Sequence, residues 1–239
     1  MAPDIKKTVI SLGGSLIVPN EIDDKYLKDF TNLVRRYVSQ GHQFYLVAGG
    51  GATARRYIEG AKKTRGAIGD ITDADADWLG IHSTRLNAHL IRTLFKDIAR
   101  PEIVTDPHKR VEENYPVIVG AGYRPGNSTD WIAVKMAQVN DSNTVINLSN
   151  IDYAYTADPK KDPTAKKIKK ITWKKFREIV GDKWVPGMNA PFDPIASILA
   201  EQYKMKVIIA NGHNLRNLEN ILSDRRFRGT RIYPTTSTY

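Results

Sequence analysis

An α/β fold with a largely parallel sheet covered on both faces is predicted by three observations. Short apolar strands alternate with helical stretches along almost all of the 239 residues. Three times a strand-like run ends in a glycine turn that leads into a helix start: at Gly13 and Gly14, at Gly49 to Gly51, and in the loop from Gly122 to Asp130. No internal repeat and no linker long enough to separate domains is present, so residues 1–239 read as one domain.

The chain is organised around residues 44–58. Residues 44–48 supply an apolar and aromatic strand, three glycines let the backbone turn and approach a ligand, and a helical pattern begins at once. Helix-start N–H groups, the positive end of the helix dipole and the guanidinium of Arg55 or Arg56 would all favour an anion. The structural alternative is a tight strand-to-helix turn with surface arginines, and the other glycine turns weigh against it.

Taken in order, residues 7–12 form a short strand. A helix from about Asp23 places Tyr26, Leu27, Phe30, Leu33, Val34, Tyr37 and Val38 on one face and Gly41 at its stop. A helix over roughly 52–62 follows the glycine triplet, and 64–70 is a loop with two glycines. Residues 73–98 read as one helix with Ile81, Ala88, Ile91, Phe95 and Ile98 at helical spacing; Asp73, Asp75 and Asp77 gather at its start, where acids cap helices and meet the dipole. Residues 116–122 are a strand, 128–140 open and complete a helix, 144–148 are a strand, and 149–158 a strand end with a small hairpin. Residues 160–175 hold eight lysines against one acid, Asp162, and read as a solvated loop and helix surface. Thr172 is expected to cap a helix with Trp173, Phe176 and Val180 on one face. A Pro/Gly-broken loop at 185–194, a helix at 193–203, a strand at 205–210, a helix at 215–222, a strand at 230–233 and a frayed tail at 235–239 complete the pattern.

Composition narrows the function. Without cysteine there are no disulfides or thiolate metal sites, which suits a reducing compartment. The start lacks an apolar signal core and no apolar run approaches the ~20 residues that span a bilayer, so a cytoplasmic protein with no membrane contact is expected. The net charge of +10 points to a polyanion, either nucleic acid or an anionic small molecule. The lysine run has no interleaved aromatics before Trp173 and Phe176, which sit at core spacing, so nucleic acid is the weaker choice. P-loop, dinucleotide and Gly-x-Ser-x-Gly signatures are missing. The five histidines are scattered, His82 and His89 lying two helical turns apart, so no residue set is assigned to a metal.

The segments Ile10 to Ile17, Gly49 to Ile58, Asp77 to Ala88, Arg124 to Asp130 and Asn150 to Pro159, with 192–196 and 228–232, resemble the amino acid kinase family, and within it the archaeal type of uridylate kinase. The likeness runs in order from about Thr8 to Pro234. It implies a three-layer α/β/α sandwich, transfer of the γ-phosphoryl group of ATP to UMP with Mg2+, and a homohexamer. The acceptor would be bound by roughly residues 1–140 and the donor by 141–234. By the same resemblance Gly13, Gly14 and Ser15 line the donor phosphates, and Gly50 and Gly51 stand between donor and acceptor. Arg55 sits on phosphate, Asp77 holds the acceptor ribose, and Tyr123, Arg124, Pro125, Gly126, Asn127, Ser128 and Thr129 wrap the UMP. Ser149, Tyr155 and Asp158 border the adenine nucleotide, while Asp130 and Ser11 are the catalytic positions. These roles suit a loose phosphoryl-transfer transition state, which needs alignment and charge stabilisation more than a covalent partner. Two positions depart from the family pattern: Ser11 stands where many members carry Lys, and Tyr153 replaces a Gly beside the nucleotide pocket. They motivate the alternative of a weakly active or inactive ATP-binding storage or regulatory relative.

Overall fold

Five consecutive buried residues, Thr8 to Leu12, make β1 (Lys6–Leu12) a strand for the middle of a covered sheet. It pairs in parallel with β2 (His42–Ala48) on one side and β4 (Thr144–Ser149) on the other. The side chains alternate between faces: Ile10, Leu12, Phe44 and Leu46 enter one core, Val9, Tyr45 and Val47 the other. The computed structural model describes residues 5–64, 70–112, 114–183 and 190–234.

Beyond β2 lies β3 (Val117–Gly120), and beyond β4 lies β8 (Lys206–Asn211), both parallel to their neighbours. β9 (Thr230–Tyr233) then pairs antiparallel to β8, and β7 (Lys170–Thr172) parallel to β9, giving the order β3-β2-β1-β4-β8-β9-β7. The sheet is mostly parallel, with one reversed edge. Its first core packs against α1 (Gly14–Ile17), α2 (Asp24–Val38), α4 (Asp73–Leu94) and α8 (Leu215–Leu222). The second packs against α5 (Thr129–Val139), α6 (Trp173–Val180) and α7 (Pro194–Gln202), with Trp173, Phe176 and Phe192 fully buried. The outcome is a three-layer sandwich. α3 (Gly51–Thr64) packs along α4.

Several expected elements are redrawn. The helix predicted over 73–98 stops at Leu94, because Ile98 and Ala99 turn back to the Phe95 carbonyl and Ala99 bridges to Val117. The strand predicted over 116–122 ends at Gly120; Gly122 donates its N–H to Thr84 Oγ1 instead of a neighbouring strand. The small hairpin of 149–158 is not closed within that stretch, since β5 (Ala154–Tyr155) pairs with β6 (Lys167–Ile168) across the Asp158 turn. The lysine run therefore holds β6 and β7 as well as loop. Thr172 occupies the cap position of α6 without a side-chain hydrogen bond. The loop expected at 64–70 falls mostly, that at 185–194 partly, and the tail at 235–239 entirely outside the described residues.

Candidate active site

The chain leaves β1 for β2 and β3 on one side and later for β4 and β8 on the other, so a crevice opens at the carboxyl ends of β1, β2 and β4. The glycine turns converge there. Gly13 N–H donates to Leu148 O at 2.8 Å and Gly49 N–H to Leu12 O at 2.9 Å, which clamps the turns after β1 and β2 to their neighbouring strands. A Cβ on Gly14 would lie 2.6 Å from Gly51 Cα and 2.8 Å from Gly49 C. Gly51 has φ +63°, and a Cβ on it would lie 2.8 Å from Val18 O. The two turns thus pack backbone to backbone, a demand on glycine separate from any ligand. Ala52, at the start of α3, already gives its N–H to Val18 O at 2.8 Å.

Helix α4 positions the residues expected on the acceptor side. It starts at a capping box: Thr72 Oγ1 accepts from Asp75 N–H, and Asp75 accepts from Thr72 N–H. Asp77 is free of that task and accepts the Gly126 N–H at 2.8 Å, tying α4 to the loop after β3. Two to three turns on, Thr84 Oγ1 accepts from Gly122 N–H, Arg85 donates to the carbonyls of Gly122 and Tyr123, and Asn87 donates to those of Gly49 and Gly50. A single helix thereby holds both the triple-glycine turn and the loop. Between them lies a cavity of about 230 Å3 that brings together Gly50, Gly51, Asp77, Arg124, Asn127, Ser128 and Thr129. Of the other expected acceptor residues, Tyr123 packs its ring edge-on against His108, while Pro125 and Gly126 shape the loop without lining this cavity.

Ser128 caps α5, accepting from Trp131 N–H, and the next turn carries Asp130 to the crevice floor. Asp130 Oδ1 accepts from the buried Ser11 hydroxyl at 3.0 Å, and Oδ2 from Asp193 N–H at 3.2 Å. Burial pushes the Asp130 carboxyl up to about 6, and the charge of Asp193 adds to the rise, while the two hydrogen bonds oppose it. Asp193 is also raised, by burial first, although it accepts from Ala196 N–H as the cap of α7. Ser11 therefore serves as a donor to Asp130. Asp193 is a member of the site that residue-by-residue reading did not single out; its signal was the Asp-Pro pair at the start of a helix, which reads as a cap.

The donor-side residues are less gathered. Gly13, Gly14 and Ser15 begin α1 beside the end of β4, where Ser149 ends the strand and its carbonyl accepts from Gly212 N–H. Asp158 is exposed and accepts from Lys160 N–H within its own turn, and Tyr155 sits in β5 opposite Lys167. Arg55 is exposed and donates to Pro19 O at 3.0 Å, so its head group is not among the residues lining the Asp77 cavity. Among the described residues, two buried oxygens of the site have no hydrogen-bond partner: Asn127 Oδ1, beside the expected acceptor, and Ser149 Oγ, beside the expected donor. Such atoms suit ligand hydrogen bonds, one for an acceptor and one for a donor nucleotide.

Comparison with known proteins gives the same picture. The chain is 33% identical over 227 residues to the uridylate kinase of Methanospirillum hungatei, covering 94% of this chain and 93% of that protein. With the uridylate kinase of Staphylothermus marinus the identity is 34%, covering 95% and 98%. The crystal structure of uridylate kinase from Archaeoglobus fulgidus is similar at a TM-score of 0.75 and 30% identity, covering 95% of this chain and all of that one. UMP kinase from Bacillus anthracis shares the fold at a TM-score of 0.75 and 20% identity. Residues 6–211, from the first strand through β8 and so including every turn of the crevice, match the amino acid kinase family as a whole. The chain belongs to the amino acid kinase family.

Proposed function

We propose that this protein is a uridylate kinase, transferring the γ-phosphoryl group of ATP to UMP to give UDP and ADP. The observation that carries the reading is the junction at Thr129 and Asp130, where the loop lining the Asp77 cavity enters the helix that sets a hydrogen-bonded carboxylate at the crevice floor. Asp77 and the loop from Tyr123 to Thr129 hold UMP; Gly13, Gly14, Ser15, Gly51, Arg55, Ser149, Tyr155 and Asp158 hold the donor. When bound, ATP supplies the phosphoryl group, and Mg2+ accompanies its phosphates. Asp130 would be the carboxylate that meets such an ion, since magnesium bound to nucleotides is held by one or two carboxylates plus phosphate oxygens. Ser11 and Asp193 N–H fix the Asp130 carboxylate, so it needs little reorganisation as charge moves. The small cavity and the packed turns align the acceptor with the donor, which is most of what phosphoryl transfer asks of a protein.

The same reading places the protein in the cytoplasm, in pyrimidine nucleotide synthesis, as a homohexamer. Tyr57, Trp78 and Leu86, exposed on α3 and α4, support an assembly through that face. Light scattering should then give six times 26.9 kDa. The test of the reaction is a coupled assay of ADP release across the nucleoside monophosphates. Release that depends on UMP above the others is expected; ATP binding without UMP-dependent release would overturn the proposal.

A further inference from the structure

A second cavity, of about 540 Å3, opens outside the crevice, between β7, α8 and the loop that enters β9. Lys170 reaches it from the edge strand, Lys169 from the residue just before that strand, and Arg216 from α8. The loop adds Arg225, Arg226 and Arg228, and β9 adds Arg231, while among the described residues no carboxylate lines it. Among the described residues none of these seven cations is paired with an acid at salt-bridge distance. Asp224, the nearby acid whose charge Arg231 favours, is bound by Lys6 at 3.0 Å. Like charges around one concavity repel, and the arrangement is relieved by a multivalent anion.

The cavity wall is built rather than incidental. Asn217 donates Nδ2 to Arg228 O at 2.7 Å and accepts from Arg228 N–H at 2.8 Å, which pins the arginine loop to α8. Gly229 adopts φ +159°, and a Cβ there would lie 2.6 Å from Ile209 O, so the loop passes tightly over β8. The Arg231 guanidinium stacks on Phe227 at 5.2 Å, and its Nε is buried with no partner. A buried cationic donor left open beside six other cations points to a missing anion.

We infer that this cavity is a binding site for a polyphosphate anion, separate from the Asp130 crevice. Its volume falls within the ~300–1,000 Å3 range of small-ligand pockets. The two aromatic faces at its rim are already covered, Phe227 by Arg231 and Tyr153 by Lys167 at 5.6 Å. That leaves no open platform for stacked bases and favours the phosphate chain over a nucleic-acid strand. Tyr153, the bulky departure from the family's Gly, forms part of this wall. The polyphosphate can be inorganic or the tail of a nucleotide.

The test titrates the full-length protein with inorganic tripolyphosphate, and separately with ATP, in calorimetry without UMP. The variant carries Arg225→Ser, Arg226→Ser and Arg228→Ser. One tripolyphosphate per chain is expected, at least about tenfold weaker in the variant, with the KM values for ATP and UMP unchanged within about twofold. Two ATP per chain falling to one in the variant identifies the nucleotide as source; one ATP per chain in both identifies free polyphosphate. Should the variant unfold, Arg225→Ser with Arg226→Ser alone is read in the same way. Absent tripolyphosphate binding, or binding equal in parent and variant, overturns the inference. A KM for ATP that rises in step also overturns it, because the cavity would then be part of the donor site, and so does tighter capture of an oligonucleotide than of tripolyphosphate. Because binding is read without turnover, failure of the kinase reading leaves this result intact.

Discussion

Asp130 is hydrogen-bonded as an anion in a place where burial favours the neutral acid. The folded protein holds this proton up to about pH 6, against an ordinary value of 3.8. Stability from the protonated form is therefore full below about pH 4 and is lost as pH rises through about 6. Asp130→Asn removes that loss. Its melting temperature should exceed the parent's above pH 6, by the equivalent of at most about 3 kcal/mol, and match it near pH 4. The same change should lower kcat about a hundredfold or more with ATP binding little altered, since the fixed charge acts mainly on the transition state. Turnover should fall as pH drops below about 6, and Ser11→Ala, which removes a donor to the carboxylate, should move that acid limb upward; an unmoved limb would show that the Ser11 contact does not tune the site. Asp77 and Thr72 make a contrasting pair. Asp77→Ala should weaken UMP about tenfold or more with a near-parental melting temperature, whereas Thr72→Ala should cost about 1 kcal/mol of stability with no change in the UMP requirement. Both outcomes are read from UMP titration and thermal melts.

At the scale of elements, the site depends on glycines whose roles differ. A methyl group at Gly14 has nowhere to go, because Gly51 Cα and Gly49 C stand within 2.8 Å of it. Gly14→Ala should part the two turns, giving severe loss of stability and of turnover together. Gly41 has φ +86° but open space around it, so Gly41→Ala should cost only about 1 kcal/mol, from backbone strain alone, with activity kept. Equal melting temperatures for the two variants would argue that the turns do not pack as described. Helix α4 has a similar double function: its buried side chains hold the core, and its polar row of Asp77, Thr84, Arg85 and Asn87 holds the two loops that make the acceptor cavity.

Over the whole molecule, the surplus of positive charge is concentrated toward the reversed edge of the sheet, where the lysine run meets the arginines before β9. A field of that sign beside the residues proposed to hold the donor should speed capture of ATP. Replacing Lys166, Lys167, Lys169 and Lys170 together by Gln should slow ATP association at low ionic strength. The difference should close as salt shortens the ~10 Å screening length of 0.1 M solutions. Stopped-flow rates identical to the parent at every salt concentration would dismiss a steering role for the run.

The order of the longer elements, the parallel majority of the sheet, the core face of α2 and the three glycine turns were legible in the sequence alone, because they follow from local periodicity and from residues with special backbone freedom. Motif order was enough to indicate the family. What the chain could not state by itself were contacts between distant segments. Ser11 reads as one more strand residue until β1 and α5 are packed, and only then does its hydroxyl meet Asp130. Asp193 reads as the first residue of a helix and becomes part of the site because the start of α7, which it caps, lies against the start of α5. The lysine run reads as solvated surface, since its short strands gain stability from β9 and from Thr230, which links the hairpin to the sheet, and not from their own sequence. Local preference sets which segments become strands and helices; which polar groups share a site depends on long-range pairing and burial, and these exist only once the sheet has formed.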